Sequence, residues 1–172
     1  LILIEWIREL STILMLVAIG IIAGKNNLQR FFYFLYAFAV WDIFYYVGLK
    51  LFLDWPSSFF TWDILFLIPI PWIGPVLAPI ICSLTMIVFA MGGIFIQAGG
   101  RRIKITLYQW GFLFLGCFLI LYSFMADYLM LIIQNDFLSD FWELSENEHF
   151  WQVISQFKPI NYNWIVFSLG EI

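Results

Sequence analysis

Asp42 is the residue whose type and position point most directly to chemistry, because it lies in the middle of an apolar run at residues 31–53. An ionisable side chain at the centre of a membrane span costs about 2.5–3.5 kcal/mol on insertion scales. Helical spacing places Tyr45 and Tyr46 on its face, with Lys50 one turn beyond Tyr46. Two interpretations stay open: the carboxyl binds a proton or a cation, or it accepts structural hydrogen bonds from neighbouring helices.

A second aspartate, Asp63, stands in a similar local sequence, since WDIFYY at 41–46 is echoed by WDILFL at 62–67. Two carboxyls brought together would raise the pKa of one of them and hold a proton. Such a pair could act as acid and base on a lipid or isoprenoid. Two short matches do not establish a repeat, so solvation or capping of Asp63 near the membrane surface is the simpler interpretation.

Familiar catalytic and metal-binding patterns are missing from the sequence. The single histidine, His149, cannot supply both ligands of a bis-histidine haem, and its Glu-x-x-His pair with Glu146 lacks the second copy found in di-iron bundles. Neither G-x-G-x-x-G nor a Walker A pattern occurs, and no serine or cysteine in the apolar runs has a histidine base nearby. No catalytic residue, metal or cofactor is predicted, and enzymatic activity is not expected.

The aromatic and small residues suggest contact surfaces. Phe, Trp and Tyr form 22% of the chain, enough to line a slot for a lipid, quinone or carotenoid, although packing between helices and against lipid is the simpler explanation. Gly20 and Gly24 have the small-xxx-small spacing that lets two helices approach closely. Cys82 and Cys117 lie inside apolar runs, so we expect small buried hydrophobes and no disulfide framework.

Composition indicates that these residues belong to an integral membrane protein. The chain is 63% hydrophobic and 12% charged, against about 45–50% apolar and about 25% charged in soluble domains. The core of a soluble domain of 172 residues is too small to bury these additional apolar side chains, whereas a bilayer can accommodate them. The net charge of −4 argues against a nucleic-acid partner. A length of 172 residues predicts a single transmembrane domain, 1–172, with four or five spans of about 20 residues each.

The hydrophobic pattern predicts an all-α, polytopic helical bundle. Its four spans are predicted at about residues 3–24, 31–53, 76–98 and 105–133. Pro75 and Pro79 fit the start of the third span, since the first four N–H groups of a helix have no internal partner. In the first span, Arg8 is expected to pair with Glu5 at a solvated or headgroup position.

The segment between the second and third spans is predicted to contain a short interfacial or re-entrant helix at residues 58–68. Pro56 ends the second span, the two serines after it are suited to cap a new helix, and Pro69 and Pro71 stop that helix. Roughly 11 residues rise only about 16 Å, which is too short to cross a bilayer.

The C-terminal third continues with an amphipathic acidic segment at 134–158 and a partial fifth span at 161–172. Loops 24–30 and 99–104 hold five of the eight lysines and arginines, so the positive-inside rule places them in the cytoplasm. The segments 54–75 and 134–158 then lie on the outer face, where their tryptophans suit an interfacial belt.

The segment WDIFYY…WPSS…WDILFLIPIPWIGPV…P, between Trp41 and Pro79, resembles a group of bacterial multi-spanning membrane proteins that have no assigned function. The likeness covers about residues 5–90. It implies a location in the bacterial inner membrane and carries no activity with it.

Three functions fit the sequence. The first is a non-catalytic subunit of a larger membrane complex, for example a respiratory or transport complex, whose partners are the lipid bilayer and other membrane subunits. The second is a small proton- or cation-coupled transporter that uses Asp42, with Asp63 and Lys50 as further candidates. The third is a membrane enzyme acting on lipid or isoprenoid through Asp42 and Asp63. The absence of catalytic patterns and the scarcity of polar residues for a pore favour the first.

Overall fold

The computed structural model describes residues 2–67, 70–101, 103–135 and 161–172. These ranges contain five helices and one two-stranded antiparallel sheet. The elements are α1 (Ile2–Ala23), α2 (Asn27–Leu53), β1 (Trp62–Phe66), β2 (Trp72–Pro75), α3 (Leu77–Ala98), α4 (Leu107–Gln134) and α5 (Trp164–Glu171).

The four long helices α1 to α4 confirm the predicted helical membrane bundle, since each is long and apolar enough to cross a membrane. Their ends follow local capping chemistry. The Asn26 side chain accepts from the Gln29 N–H and starts α2 before residue 31, and Thr106 forms a capping box with Gln109 at the start of α4. Pro79 lies in the first turn of α3, as its spacing predicted.

The predicted short helix at 58–68 is wrong, because this segment contributes β1 to a hairpin. Trp62 pairs with Pro75, Ile64 with Ile73 and Phe66 with Trp72, with an irregularity between Ile64 and Phe66. β-Branched and aromatic side chains favour this extended conformation. In sequence, Pro69 and Pro71 fall between the two strands and outside the paired residues, where proline is tolerated.

The hairpin is continuous with the start of α3. Val76 N–H donates to Thr61 O at 3.0 Å, and Leu77 N–H donates to Phe59 O at 2.8 Å. Two of the backbone donors that a helix start leaves unpaired are therefore satisfied by the chain that precedes β1. This pairing explains why the proline-rich segment forms a hairpin joined directly to a membrane helix.

The helices form two groups, which are joined by the hairpin and by direct contacts of α2 and α3 with α4 and α5. Helix α2 packs against α1 and α3, whereas α4 packs against α5 and β2. Gly20 of α1 and Gly24, which directly follows α1, lie against the backbone of Arg30 in α2, so a Cβ at Gly20 would stand 2.7 Å from Arg30 O. On the other side, a Cβ at Gly116 of α4 would stand 2.6 Å from Gly170 O of α5. Close backbone contact thus holds each group together.

An aromatic cluster connects the hairpin to the second group. The Trp72 and Phe124 rings are parallel with centroids 6.4 Å apart, and Phe167 is buried beside Phe124. Gly74 permits this packing, since a Cβ there would stand 2.9 Å from the Phe124 ring. Tyr162 completes the cluster with its hydroxyl 2.8 Å from Ser123 Oγ.

Several predictions fall at the C-terminal part of the chain. The amphipathic acidic segment lies outside the described residues from 136 onward, as does His149. The predicted partial fifth span coincides with α5, which has eight residues.

Both cysteines are free thiols. The expectation that Cys117 is buried is wrong, because this residue of α4 is exposed and lines an open cleft.

Adjacent glycines in α3 provide a test of the α2–α3 packing. A Cβ at Gly93 would overlap the buried Phe32 ring, whereas a Cβ at Gly92 meets no heavy atom within 4 Å. We expect Gly93→Ala to lower the free energy of unfolding by about 1–3 kcal/mol through overpacking. Gly92→Ala should be neutral or raise it by about 0.5–1 kcal/mol through helix propensity. Thermal unfolding of both variants in detergent measures the difference. Equal unfolding temperatures would contradict the described packing of Gly93 against Phe32.

Candidate functional site

Two carboxylate side chains, Asp63 of β1 and Glu9 of α1, attach the hairpin to the helices. The Tyr46 hydroxyl of α2 donates to Asp63 Oδ2 of β1 at 2.9 Å. The Leu67 N–H, just after β1, donates to both carboxylate oxygens of Glu9 in α1, at 3.1 Å each. Hydrogen bonds to charged groups contribute about 1.5–3 kcal/mol each, more than neutral ones. The hairpin is therefore fixed to both α1 and α2.

Asp42 links α2 to α3 through a further hydrogen bond. The fully buried Ser83 hydroxyl donates to Asp42 Oδ2 at 2.8 Å. Within the described part of the chain, the ion pairs are Arg8–Glu5 and Lys50–Asp54, so neither lysine nor arginine pairs with Asp42. A carboxylate has about four lone-pair sites. Asp42 thus retains acceptor capacity and, among the described residues, has no cationic partner.

The other residues predicted to share the Asp42 face have separate roles. Lys50 Nζ lies 2.7 Å from Asp54 Oδ1 and donates to Pro56 O, so it closes the end of α2. The Tyr45 side chain is 38% exposed and its ring stacks on Trp41. The predicted Arg8–Glu5 pair is confirmed at 2.7 Å, with both side chains about half exposed.

Asp42 and Asp63 occupy different environments. Asp42 lies on the wall of a large cleft, whereas Asp63 is not among the residues lining it. Burial raises the pKa of Asp63, opposed by hydrogen bonds from Tyr46 and the Ile64 backbone. A raised pKa means that the folded hairpin binds this proton more tightly than the unfolded chain. The contribution of Asp63 protonation to the stability of the folded state is therefore fully present in acid, and it is lost as the pH rises through the pKa of folded Asp63. Each carboxyl accepts a hydrogen bond from its own hydroxyl donor, Ser83 for Asp42 and Tyr46 for Asp63.

The cleft separates α1–α3 from α4 and α5 and has a volume of about 1460 Å³. It extends from the hairpin end, near Arg8, to the opposite end of the bundle, near Lys104. Most of its wall is apolar and aromatic. Its acidic side chains between those ends are Glu9, Asp42 and Glu171. The described residues contain no group of three or more histidine, cysteine, aspartate or glutamate side chains placed to hold a metal ion.

Sequence reasoning missed Glu9 and Ser83. Glu9 reads as one more headgroup charge beside Glu5 and Arg8, yet it is only 5% exposed. Its position deeper in the apolar run was the available signal. Ser83 and Thr85 are the hydroxyl residues of α3, and Thr85 bonds to Ile81 O of its own helix, as such residues commonly do. Only the placement of α2 distinguishes Ser83 from Thr85.

Neighbouring tyrosines provide a matched test of the hairpin attachment. We expect Tyr46→Phe to lower the free energy of unfolding by about 1–3 kcal/mol, because it leaves the half-buried Asp63 carboxylate without its side-chain donor. Tyr45→Phe should change it by less than about 0.5 kcal/mol. Thermal unfolding in detergent and amide hydrogen exchange of β1 and β2 report the two effects. Unchanged exchange in Tyr46→Phe would show that this bond does not hold the hairpin.

Comparison with known proteins identifies no relative. No protein-family model, curated protein or solved structure matches this chain. The interpretation of the site therefore rests on its own geometry: a hairpin attached by carboxylates, and an apolar cleft with Asp42 on its wall.

Proposed function

We propose that this protein is a non-catalytic integral subunit of a larger membrane complex, with a scaffold, assembly or accessory role. The observation that carries the proposal is the open cleft between α1–α3 and α4–α5, which reaches from one end of the bundle to the other. An apolar cleft of this extent is suited to a transmembrane segment of another subunit, because helices pack closely in lipid.

The hydrogen bonding of the three carboxylates supports the same proposal. Glu9, Asp42 and Asp63 accept hydrogen bonds that fix α1, α2, α3 and the hairpin relative to one another. These are positioning roles, and they keep the hairpin attached at one end of the cleft. An attached hairpin at one end and a mainly apolar wall suit a surface on which another membrane segment docks.

The membrane location and the orientation of the protein are part of the proposal. Four candidate spans indicate a multi-pass protein in a lipid bilayer. We place it in a bacterial inner membrane, with loops 24–30 and 99–104 in the cytoplasm and the hairpin on the outer face. The greater number of cations in those two loops supports this orientation.

A second candidate function, a proton- or cation-coupled carrier, is favoured by one specific observation. Asp42 faces the cleft and, among the described residues, has no cationic partner. Intramembrane acids of this kind often mark ion pathways. Purified protein in vesicles would then carry out ion flux that Asp42→Asn abolishes, whereas a subunit without its partners would show no such flux.

Two positions at the same end of the bundle test the subunit proposal. Ile96 lines the cleft near the end of α3, and Ile22, near the end of α1, is 85% exposed and lies off the cleft. We expect a photoreactive residue at Ile96 to cross-link to another polypeptide in native membranes, while the same residue at Ile22 reacts with lipid. Mass spectrometry of the adducts identifies the partner. Lipid adducts at both positions, with a solitary protein on purification, would overturn the proposal.

A further inference from the structure

We infer that the partner enters the cleft as an apolar transmembrane helix carrying one lysine or arginine at the depth of Asp42. This inference rests on the proposed function and specifies the chemistry of the partner. Its basis is the hydrogen bonding of Asp42, the shape and lining of the cleft, and the number of ligands that the site offers.

The Asp42 carboxylate has the capacity to accept a further partner. It accepts one hydrogen bond, from Ser83, and none of the described lysines or arginines lies within ion-pair distance. A buried charge with unfilled acceptor capacity is costly in hydrocarbon, and ionisable groups inside membranes characteristically pair with one another. Asp42 is accessible to such a partner because it lies on the cleft wall.

The cleft itself defines the rest of the occupant. Its wall is mainly apolar and aromatic, and the lining residues include Phe38 and Trp41 on α2 and Leu119 on α4. An occupant polypeptide must satisfy its own backbone groups, since hydrocarbon supplies no donors or acceptors, so it is helical. Its surface is therefore apolar everywhere except at the position that meets Asp42.

The ligand count favours an ammonium or guanidinium over a bound metal ion. Calcium and magnesium bind six or more oxygen ligands, whereas Asp42 and Ser83 offer one carboxylate and one hydroxyl. No described group of three acidic, histidine or cysteine side chains is placed to complete such a shell. Glu171, also on the cleft wall, adds negative charge that favours a cationic side chain. Arg8, the cation at the hairpin end, is already paired with Glu5.

Synthetic helices test this chemistry before the natural partner is identified. The probes are two fluorescent Leu/Ala peptides of about 22 residues, long enough to span a bilayer, one with a central lysine and one with leucine there. Energy transfer to the labelled full chain in lipid nanodiscs measures binding. We expect the lysine peptide to bind about tenfold more tightly, as a single intramembrane ion pair would give. This comparison uses the unaltered chain and so does not depend on the folding of a variant.

Variants then assign the effect to Asp42. Asp42→Asn should remove the preference for lysine, and Asp42→Lys should transfer it to a peptide with a central glutamate. Asp127→Asn, which alters an acid of α4 that does not line the cleft, should leave the preference unchanged. Equal binding of both peptides, or a preference that survives Asp42→Asn, overturns the inference.

The inference and the proposed function fail separately. A partner cross-linked at Ile96 whose membrane helices contain no lysine or arginine overturns the inference and leaves the subunit proposal standing. Asp42-dependent binding of tetraphenylphosphonium, with neither peptide bound, assigns the cleft to small lipophilic cations and overturns the inference in favour of the carrier. A protein that has no partner in native membranes removes both.

Discussion

The structure depends on one constraint: a polar group within or beside hydrocarbon has to find its partner inside the protein. Three hydrogen-bonded carboxylates meet that requirement here. Ser83 donates to Asp42 and joins α2 to α3, while Tyr46 donates to Asp63 and the Leu67 N–H to Glu9. The first of these bonds holds α2 and α3 together, and the other two attach the short β-hairpin to α2 and α1.

The same arrangement determines where the cleft between the two groups of helices lies. The hairpin contacts α4 through Trp72 and Phe124, so it joins the two groups of helices at one end. At the opposite end the Phe31 ring of α2 contacts the Trp110 ring of α4, with centroids 5.7 Å apart, and the cleft lies between these two ends. Asp42 both serves the internal network through Ser83 and faces this space. Its position connects the stability of the bundle to the proposed recognition of a partner.

Much of the fold could be predicted from local sequence, because span length, capping and proline position are properties of short segments. The four apolar runs, Asn26 and Thr106 at helix starts, and Pro79 in the first turn of α3 are of this kind. The hairpin could not be predicted in the same way. WDILFL suits a short helix or a strand, and its partner WIGP lies beyond two prolines. The roles of Glu9 and Ser83 depend on contacts 58 and 41 residues away along the chain, which helical periodicity does not encode.

The most direct test of the account is an electron cryomicroscopy structure of the protein purified from its native membrane in mild detergent. The account predicts an additional transmembrane helix from another polypeptide in the cleft, with a lysine or arginine side chain in contact with the Asp42 carboxylate. A cleft that contains only lipid, or one that is closed by α4 packing directly on α2 and α3, would contradict it.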